Sequence, residues 1–91
     1  DNGMYGTIRM HQEKNYPGRI SATKLQNPDF AAYARAFGGH GERVETTEQF
    51  GPAYERAVAS KQPAIIHCLI DPETITPTTT ISKLRAAALK K

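Results

Sequence analysis

The sequence predicts an α/β layered fold built on a parallel sheet, of which this chain supplies only part. Residues 64–70 (AIIHCLI) form a nearly continuous apolar run, the pattern of a strand covered by helices on both faces. A second, shorter strand candidate at 40–45 (HGERVE) is separated from it by a helical stretch. Strands alternating with helices indicate α/β layers, and a right-handed crossover would set 42–45 and 64–70 parallel. Two strands do not make a self-sufficient sheet. The 91 residues are therefore expected to be the C-terminal half of a larger domain.

Asp1-Asn2-Gly3 is turn chemistry, since Asn and Gly both tolerate positive φ. The chain begins here rather than with Met, which fits a processed protein, a fragment or an incomplete record. Residues 4–13 (MYGTIRMHQE) are expected to form a short helix, with Ile8, His11 and Gln12 at helical spacing. Residues 14–26 carry Pro17-Gly18 and no sustained period, so a loop is expected.

The next helix has a strong start. Asn27 is a good N-cap, Pro28 suits the first helical position and Asp29 the first turn. Phe30, Tyr33, Ala34 and Phe37 then mark one face, and Gly38-Gly39 ends it. Thr46 to Gln49 fits a capping box, followed by a stripe of Phe50, Ala53, Tyr54, Ala57 and Val58. Pro52 disfavours a helix interior, so a tight turn at 47–51 is expected, with regular helix from Gly51-Pro52 to about Ser60. Asp71-Pro72 stops the second strand, residues 72–80 are extended or turn-like, and 81–90 form a last helix capped by Thr79 or Thr80.

The net charge of +3 suggests nucleic acid until its distribution is examined. Lys83, Arg85, Lys90 and Lys91 lie within 82–91, which hold no acid, while the other eight Lys/Arg face nine Asp/Glu. Cations at a helix C-terminus complement its dipole, so no nucleic-acid partner is required. A free-standing α/β binding module and a binder acting through the basic tail remain alternative readings. No apolar run is long enough to span a bilayer and no signal peptide is visible, so a cytoplasmic protein without a membrane partner is expected. The single Cys68 excludes an internal disulfide.

No complete catalytic set is present. Gly-x-Ser-x-Gly, His-Glu-x-x-His and a Gly-Lys-Ser/Thr phosphate loop are all absent. Cys68 is expected as a small buried hydrophobe, His67 as packed on a helix or exposed near the strand end, and His40 as a loop or helix-end residue. Glu13, Asp29, Glu42, Glu45, Glu48 and Glu55 are expected mostly on polar faces or caps. The first eight residues are the most suggestive. Asn2 offers an amide oxygen, Gly3 a turn that can aim the Met4 carbonyl, and Gly6, Thr7 and Ile8 backbone amides at a helix start. Oxygen ligands suit Mg²⁺, and a helix N-terminus suits a phosphate.

Asp1-Asn2-Gly3-Met4-Tyr5-Gly6-Thr7-Ile8-Arg9 resembles the segment that closes the thiamine-diphosphate motif, which opens with Gly-Asp-Gly and ends in Asn-Asn. Asn27-Pro28-Asp29-Phe30, Ala34 to Gly38, Gly41-Glu42-Arg43-Val44, Pro63-Ala64-Ile65-Ile66 and Asp71-Pro72 follow in the family's order. Gly6 to Glu13, with Tyr16, Gly18 and Arg19, looks most like the acetolactate-synthase branch. Asp1 replaces the usual first Asn, His11 stands where that branch has Trp, and Thr7 where it often has Met.

The resemblance implies the C-terminal part of a doubly wound, three-layer α/β/α domain that binds thiamine diphosphate and Mg²⁺. It implies Asn2 and the Met4 carbonyl as metal ligands and Tyr5, Gly6, Thr7 and Ile8 as the cofactor lining. His11 would lie near the substrate, a 2-oxo acid that is decarboxylated and whose two-carbon unit is transferred. A homo-oligomer, dimer or tetramer, is implied, because the cofactor lies between chains. The Gly-Asp-Gly aspartate and the activating glutamate are not among these residues, so the chain alone is expected to be inactive. A half-sheet is also expected to leave apolar surface open, giving self-association or marginal stability.

Overall fold

The expected parallel pair is present. In a computed structural model describing residues 1–91, β1 (His40–Val44) and β2 (Ala64–Cys68) run parallel, with His40 opposite Ala64 and Val44 opposite Cys68. The amide of Leu69 extends the pairing to the Val44 carbonyl at 2.8 Å. The helix α3 (Thr47–Ser60) is the crossover between them, and α2 (Phe30–Ala36) precedes β1. The remaining elements are α1 (Gly6–Asn15), a small antiparallel hairpin of β3 (Thr74–Thr76) and β4 (Thr79–Thr80), and α4 (Ile81–Leu89). This is the α/β architecture expected, with helices packed on a parallel sheet.

The chain divides into two compact units. One comprises Asp1 and Asn27–Leu69, and the other Asn2–Gln26 and Ile70–Lys91.

In the first unit the backbones come close. Ala31, Ala34, Val44, Ala53, Ala57 and His67 are its buried side chains. A Cβ on Gly41 would overlap the Ala31 carbonyl, so β1 and α2 touch only because that position is glycine. The expected stripes are shifted by this packing. On α2 the buried face is Ala31 and Ala34, while Tyr33 and Phe37 are exposed and meet edge to face at 5.1 Å. On α3 it is Ala53 and Ala57, while Phe50, Tyr54 and Val58 are exposed. The strand expected to be buried on both faces is only half covered, and His67 is its one buried residue. Cys68, expected buried, is half-buried at the strand's end.

Caps account for further differences. Asp29, not Asn27, is the N-cap of α2, because its carboxylate is the group that accepts the Ala32 amide, at 3.0 Å. The α3 helix runs unbroken from Thr47 through Pro52. Pro52 removes one amide, the one that would bond the Glu48 carbonyl, and Glu48 is exposed where water can serve it. Gln49 Oε1 accepts the Glu45 and Thr46 amides at 2.7 and 3.2 Å, which anchors the start that the capping pattern announced. His40 opens β1 rather than a loop.

The second unit is held by polar side chains. Glu13, expected on a polar face, is 0% exposed. Both its oxygens accept from Arg85 of α4, and Oε2 also takes the Gly18 amide at 3.4 Å. The Arg85 hydrogen bonds hold the Glu13 carboxyl below the usual glutamate range, against the opposing effect of burial. Thr80 caps α4 by accepting the Lys83 amide at 3.2 Å, as its position suggested. The loop over 16–24 closes back on α1 through a chain of side-chain bonds. Arg9 Nε donates to Thr23 Oγ1 (2.8 Å), Thr23 Oγ1 to Gln12 Oε1 (2.9 Å), and Gln12 Nε2 to the Ser21 carbonyl (2.8 Å). Thr23 is buried within this chain, and Ala22 sits beside it at φ 57°.

Candidate functional site

The turn Asn2-Gly3-Met4 feeds directly into α1. Gly3 takes φ 69°, in the left-handed region that favours glycine. Its carbonyl accepts the Leu25 amide at 2.8 Å, and the Tyr5 amide donates to the Thr23 carbonyl at 2.9 Å. Met4 thus forms an antiparallel bridge with Lys24, and its side chain is buried at 7% exposure. These bonds fix the turn from both sides.

What the turn presents is a set of oxygen and amide groups. Asn2 Oδ1 accepts the Met4 amide at a long 3.3 Å, so it is only lightly engaged. The first helical bond of α1 runs from the Arg9 amide to the Tyr5 carbonyl, one residue beyond Met4. The Met4 carbonyl is therefore outside the helix ladder. The amides of Gly6, Thr7 and Ile8 are the first of α1 and have no partner within it. A Cβ on Gly6 would lie 2.7 Å from Asn2 Nδ2 and 3.2 Å from Ile75 Cδ1. Glycine at position 6 is what lets the Asn2 carboxamide sit over the helix start.

The chemistry of this donor set fits part of a Mg²⁺–diphosphate site. A carboxamide oxygen and a backbone carbonyl are hard donors, and three helix-start amides suit an anion. No cluster of three or more His, Cys, Asp or Glu side chains is placed to hold a metal. Any metal here would take further oxygen ligands from elsewhere. Tyr5, Thr7 and Ile8 are exposed, as is His11, one helical turn beyond Thr7 on the same face of α1.

A family comparison decides what this arrangement belongs to. Residues 1–68 match the family described as "Thiamine pyrophosphate enzyme, C-terminal TPP binding domain", thiamine pyrophosphate being another name for thiamine diphosphate. The chain belongs to the thiamine-diphosphate enzyme family. It is similar to the acetolactate synthase large subunit IlvG of Mycobacterium tuberculosis, 35% identical over 77 residues that make up 85% of this chain and 14% of that protein. It is 38% identical over 66 residues to the putative thiamine pyrophosphate-containing protein YdaP of Bacillus subtilis, covering 71% of this chain and 12% of the relative. Over 72 residues it is 36% identical to the acetolactate synthase isozyme 2 large subunit of Escherichia coli, covering 78% and 13%. The chain thus spans about one seventh of the length of the curated relatives it matches. Within the family it represents the thiamine-diphosphate-binding domain of acetolactate-synthase-like enzymes. No helix is long and apolar enough to cross a membrane.

Some of the surrounding structure was not foreseen. The Arg9–Thr23–Gln12 chain and the Glu13–Arg85 pair hold the helix that carries the site. The Glu13–Arg85 pair joins residues 72 positions apart, and nothing local in the sequence marks it. In the first unit, His67 packs on a helix, one of the two places expected for it, with Phe30 of α2 edge-on at 5.1 Å; its contact to Asp1 Oδ2, 2.6 Å from Nε2, is the part no local pattern marks.

Proposed function

We propose that this chain is the C-terminal part of a thiamine-diphosphate-binding domain in an acetolactate-synthase-like enzyme acting on a 2-oxo acid. In this reading Asn2 Oδ1 and the Met4 carbonyl ligate Mg²⁺, and the amides of Gly6, Thr7 and Ile8 receive the cofactor's diphosphate. The observation that carries it is that one short turn supplies a Met4 carbonyl outside the helix ladder, a lightly engaged Asn2 oxygen and the helix-start amides that have no partner within α1. Bound thiamine diphosphate would supply the electron sink for decarboxylation and carbon–carbon bond formation. The chain's own residues bind and orient. The Met4–Lys24 bridge fixes the carbonyl, Gly6 clears room for Asn2, and the Tyr5 side chain lines the approach. His11 shares the exposed face of Thr7 and Ile8 and would contact the substrate there.

The rest of the domain, with the Gly-Asp-Gly aspartate, would lie outside these residues, so the chain alone should not turn over pyruvate. A cytoplasmic homo-oligomer, dimer or tetramer, completes the reading. Support for association comes from an apolar cleft of about 310 Å³ in the first unit, lined by residues including Tyr33, Phe37, Pro63 and Ile65. In the full polypeptide, Asn2→Ala should weaken Mg²⁺-dependent cofactor binding by about tenfold or more, since even residues that only support metal ligands commonly contribute that much. Calorimetry showing unchanged Mg²⁺ and cofactor affinity in Asn2→Ala would refute the ligand assignment.

A further inference from the structure

Charge is unevenly divided between the two units. The unit of Asn2–Gln26 and Ile70–Lys91 holds eight Lys/Arg and three Asp/Glu, whereas the other holds four and six. The one acid within residues 2–26, Glu13, gives both its oxygens to Arg85. Arg9 and Lys24 lie in that segment, and neither takes part in an ion pair.

Both cations line one small cleft of about 160 Å³, together with Ile20, Ser21, Ala22 and Thr23. Arg9 is held at one end. Its Nε donates to Thr23 Oγ1 at 2.8 Å, and Thr23, only 3% exposed, donates in turn to Gln12 Oε1 at 2.9 Å. The Nη donors of Arg9 have no protein acceptor. The Lys24 backbone is fixed by its bridge to Met4, while its side chain is exposed. Ala22 forms part of the wall at φ 57°. A residue other than glycine is rarely kept in the left-handed region, and such residues cluster where a ligand is clamped.

We propose that this cleft binds a phosphate group. A guanidinium fork oriented by a buried hydroxyl, an ammonium and the Ser21 hydroxyl line it with no facing acid. A phosphate has the oxygens to accept from all three and the double charge to offset both cations. A carboxylate, with a single charge, would offset only one. The cleft shares no lining residue with the Asn2–Ile8 turn, so the proposal stands whether or not that turn holds the cofactor.

The test titrates inorganic phosphate, methyl phosphate and acetate into the full polypeptide, with and without Mg²⁺ and thiamine diphosphate. It follows the amide signals of residues 20–24 and the Arg9 Nε–H signal. Phosphate should shift them in both cases, and acetate should bind more weakly. Arg9→Gln should weaken phosphate about tenfold or more, the worth of a charged hydrogen bond. That variant also disturbs Thr23, so Lys24→Gln is the second, because the Lys24 side chain makes no hydrogen bond in the fold. It should weaken phosphate about threefold, as loss of an exposed charge does. Lys14→Gln removes an exposed cation of α1 outside the cleft and should leave the affinity unchanged. Methyl phosphate binding as tightly as phosphate assigns the cleft to a phosphate ester, and binding of phosphate alone assigns it to the free ion.

No shift at residues 20–24 would overturn the proposal, and acetate binding as tightly as phosphate would overturn the choice of ligand. Equal losses in Lys24→Gln and Lys14→Gln would show a diffuse positive field in place of a site. Shifts that vanish once thiamine diphosphate is bound would place the phosphate on the helix-start amides instead, and would overturn it too.

Discussion

In the unit of Asp1 and Asn27–Leu69 the most buried side chains are alanines, whereas in the unit of Asn2–Gln26 and Ile70–Lys91 a glutamate occupies the most buried position. The first unit uses small residues so that β1 can lie against the α2 backbone at Gly41. The second has few buried hydrophobes, Met4 and Ile81 among them, and closes through Glu13–Arg85 and the Arg9–Thr23–Gln12 chain. The difference concerns what each unit can tolerate. The first should be sensitive to volume, and the second to the loss of a charge or a donor.

The largest effect is expected at Arg85. Arg85→Ala leaves a fully buried carboxylate without its cation and should cost about 3 kcal/mol, the low end for a broken buried pair because Arg85 itself is partly exposed. Urea unfolding measures this, and amide exchange should rise first in α1 and α4. If α2 and β1 loosened first instead, the division of roles between the units would be broken. Gly41→Ala should cost about 2 kcal/mol by overpacking, with exchange rising first in α2 and β1. A neutral Gly41→Ala would show that the first unit is not limited by volume. Thr80→Ala removes the cap of α4 and should cost about 1 kcal/mol, detectable as a lower urea midpoint with the same slope.

The smallest effect is on pH dependence, and it sharpens the contrast from the other side. The first unit also has a charged cluster, but at its surface. Arg56 and, next in weight, His40 bond the Glu42 carboxylate and lower it from an ordinary 4.5 to about 2. A lowered carboxyl stabilises the folded state fully above its unfolded value and loses that contribution as pH falls through the folded one. The stability gap between wild type and Glu42→Gln should therefore be constant above about pH 4.5 and close as pH approaches 2. A gap that did not change over this range would contradict the assignment. Glu13 behaves with the same sign, its contribution present at neutral pH and lost in acid.

Local signals were legible in the sequence. The Thr46–Gln49 helix start, the Thr80 cap and the turn at Gly3 all rest on residues within a few positions of one another, and the parallel pair, though it joins residues 24 positions apart, follows from two short strand patterns flanking one crossover helix. The order of family motifs along 1–68 was legible for the same reason. Helix faces were less so. The face expected from Phe30, Tyr33, Ala34 and Phe37 is right at Ala34, but periodicity ranks the larger apolar side chains first and passes over Ala31. Gly41 marks a close approach of β1 to the α2 backbone, so the alanine face packs, Phe30 is half-buried, and Tyr33 and Phe37 stay outside. Pro52 does not interrupt α3 as its residue type suggests, since one lost amide at an exposed turn does not break a helix anchored at Gln49. Glu13–Arg85 and Asp1–His67 span 72 and 66 residues, and no local pattern encodes them. In the site itself, the donors of residues 2–8 could be named from sequence, but their exposure and mutual bonds could not.

The central claim is that residues 2–8 hold a metal ion and a diphosphate. Its most direct test replaces Mg²⁺ by paramagnetic Mn²⁺ in the full polypeptide with thiamine diphosphate bound, and follows the backbone amide signals of this segment. The account predicts broadening concentrated on the amides from Asn2 to Ile8, abolished by Asn2→Ala. Mn²⁺ bound together with the cofactor while those amides stay sharp would contradict it.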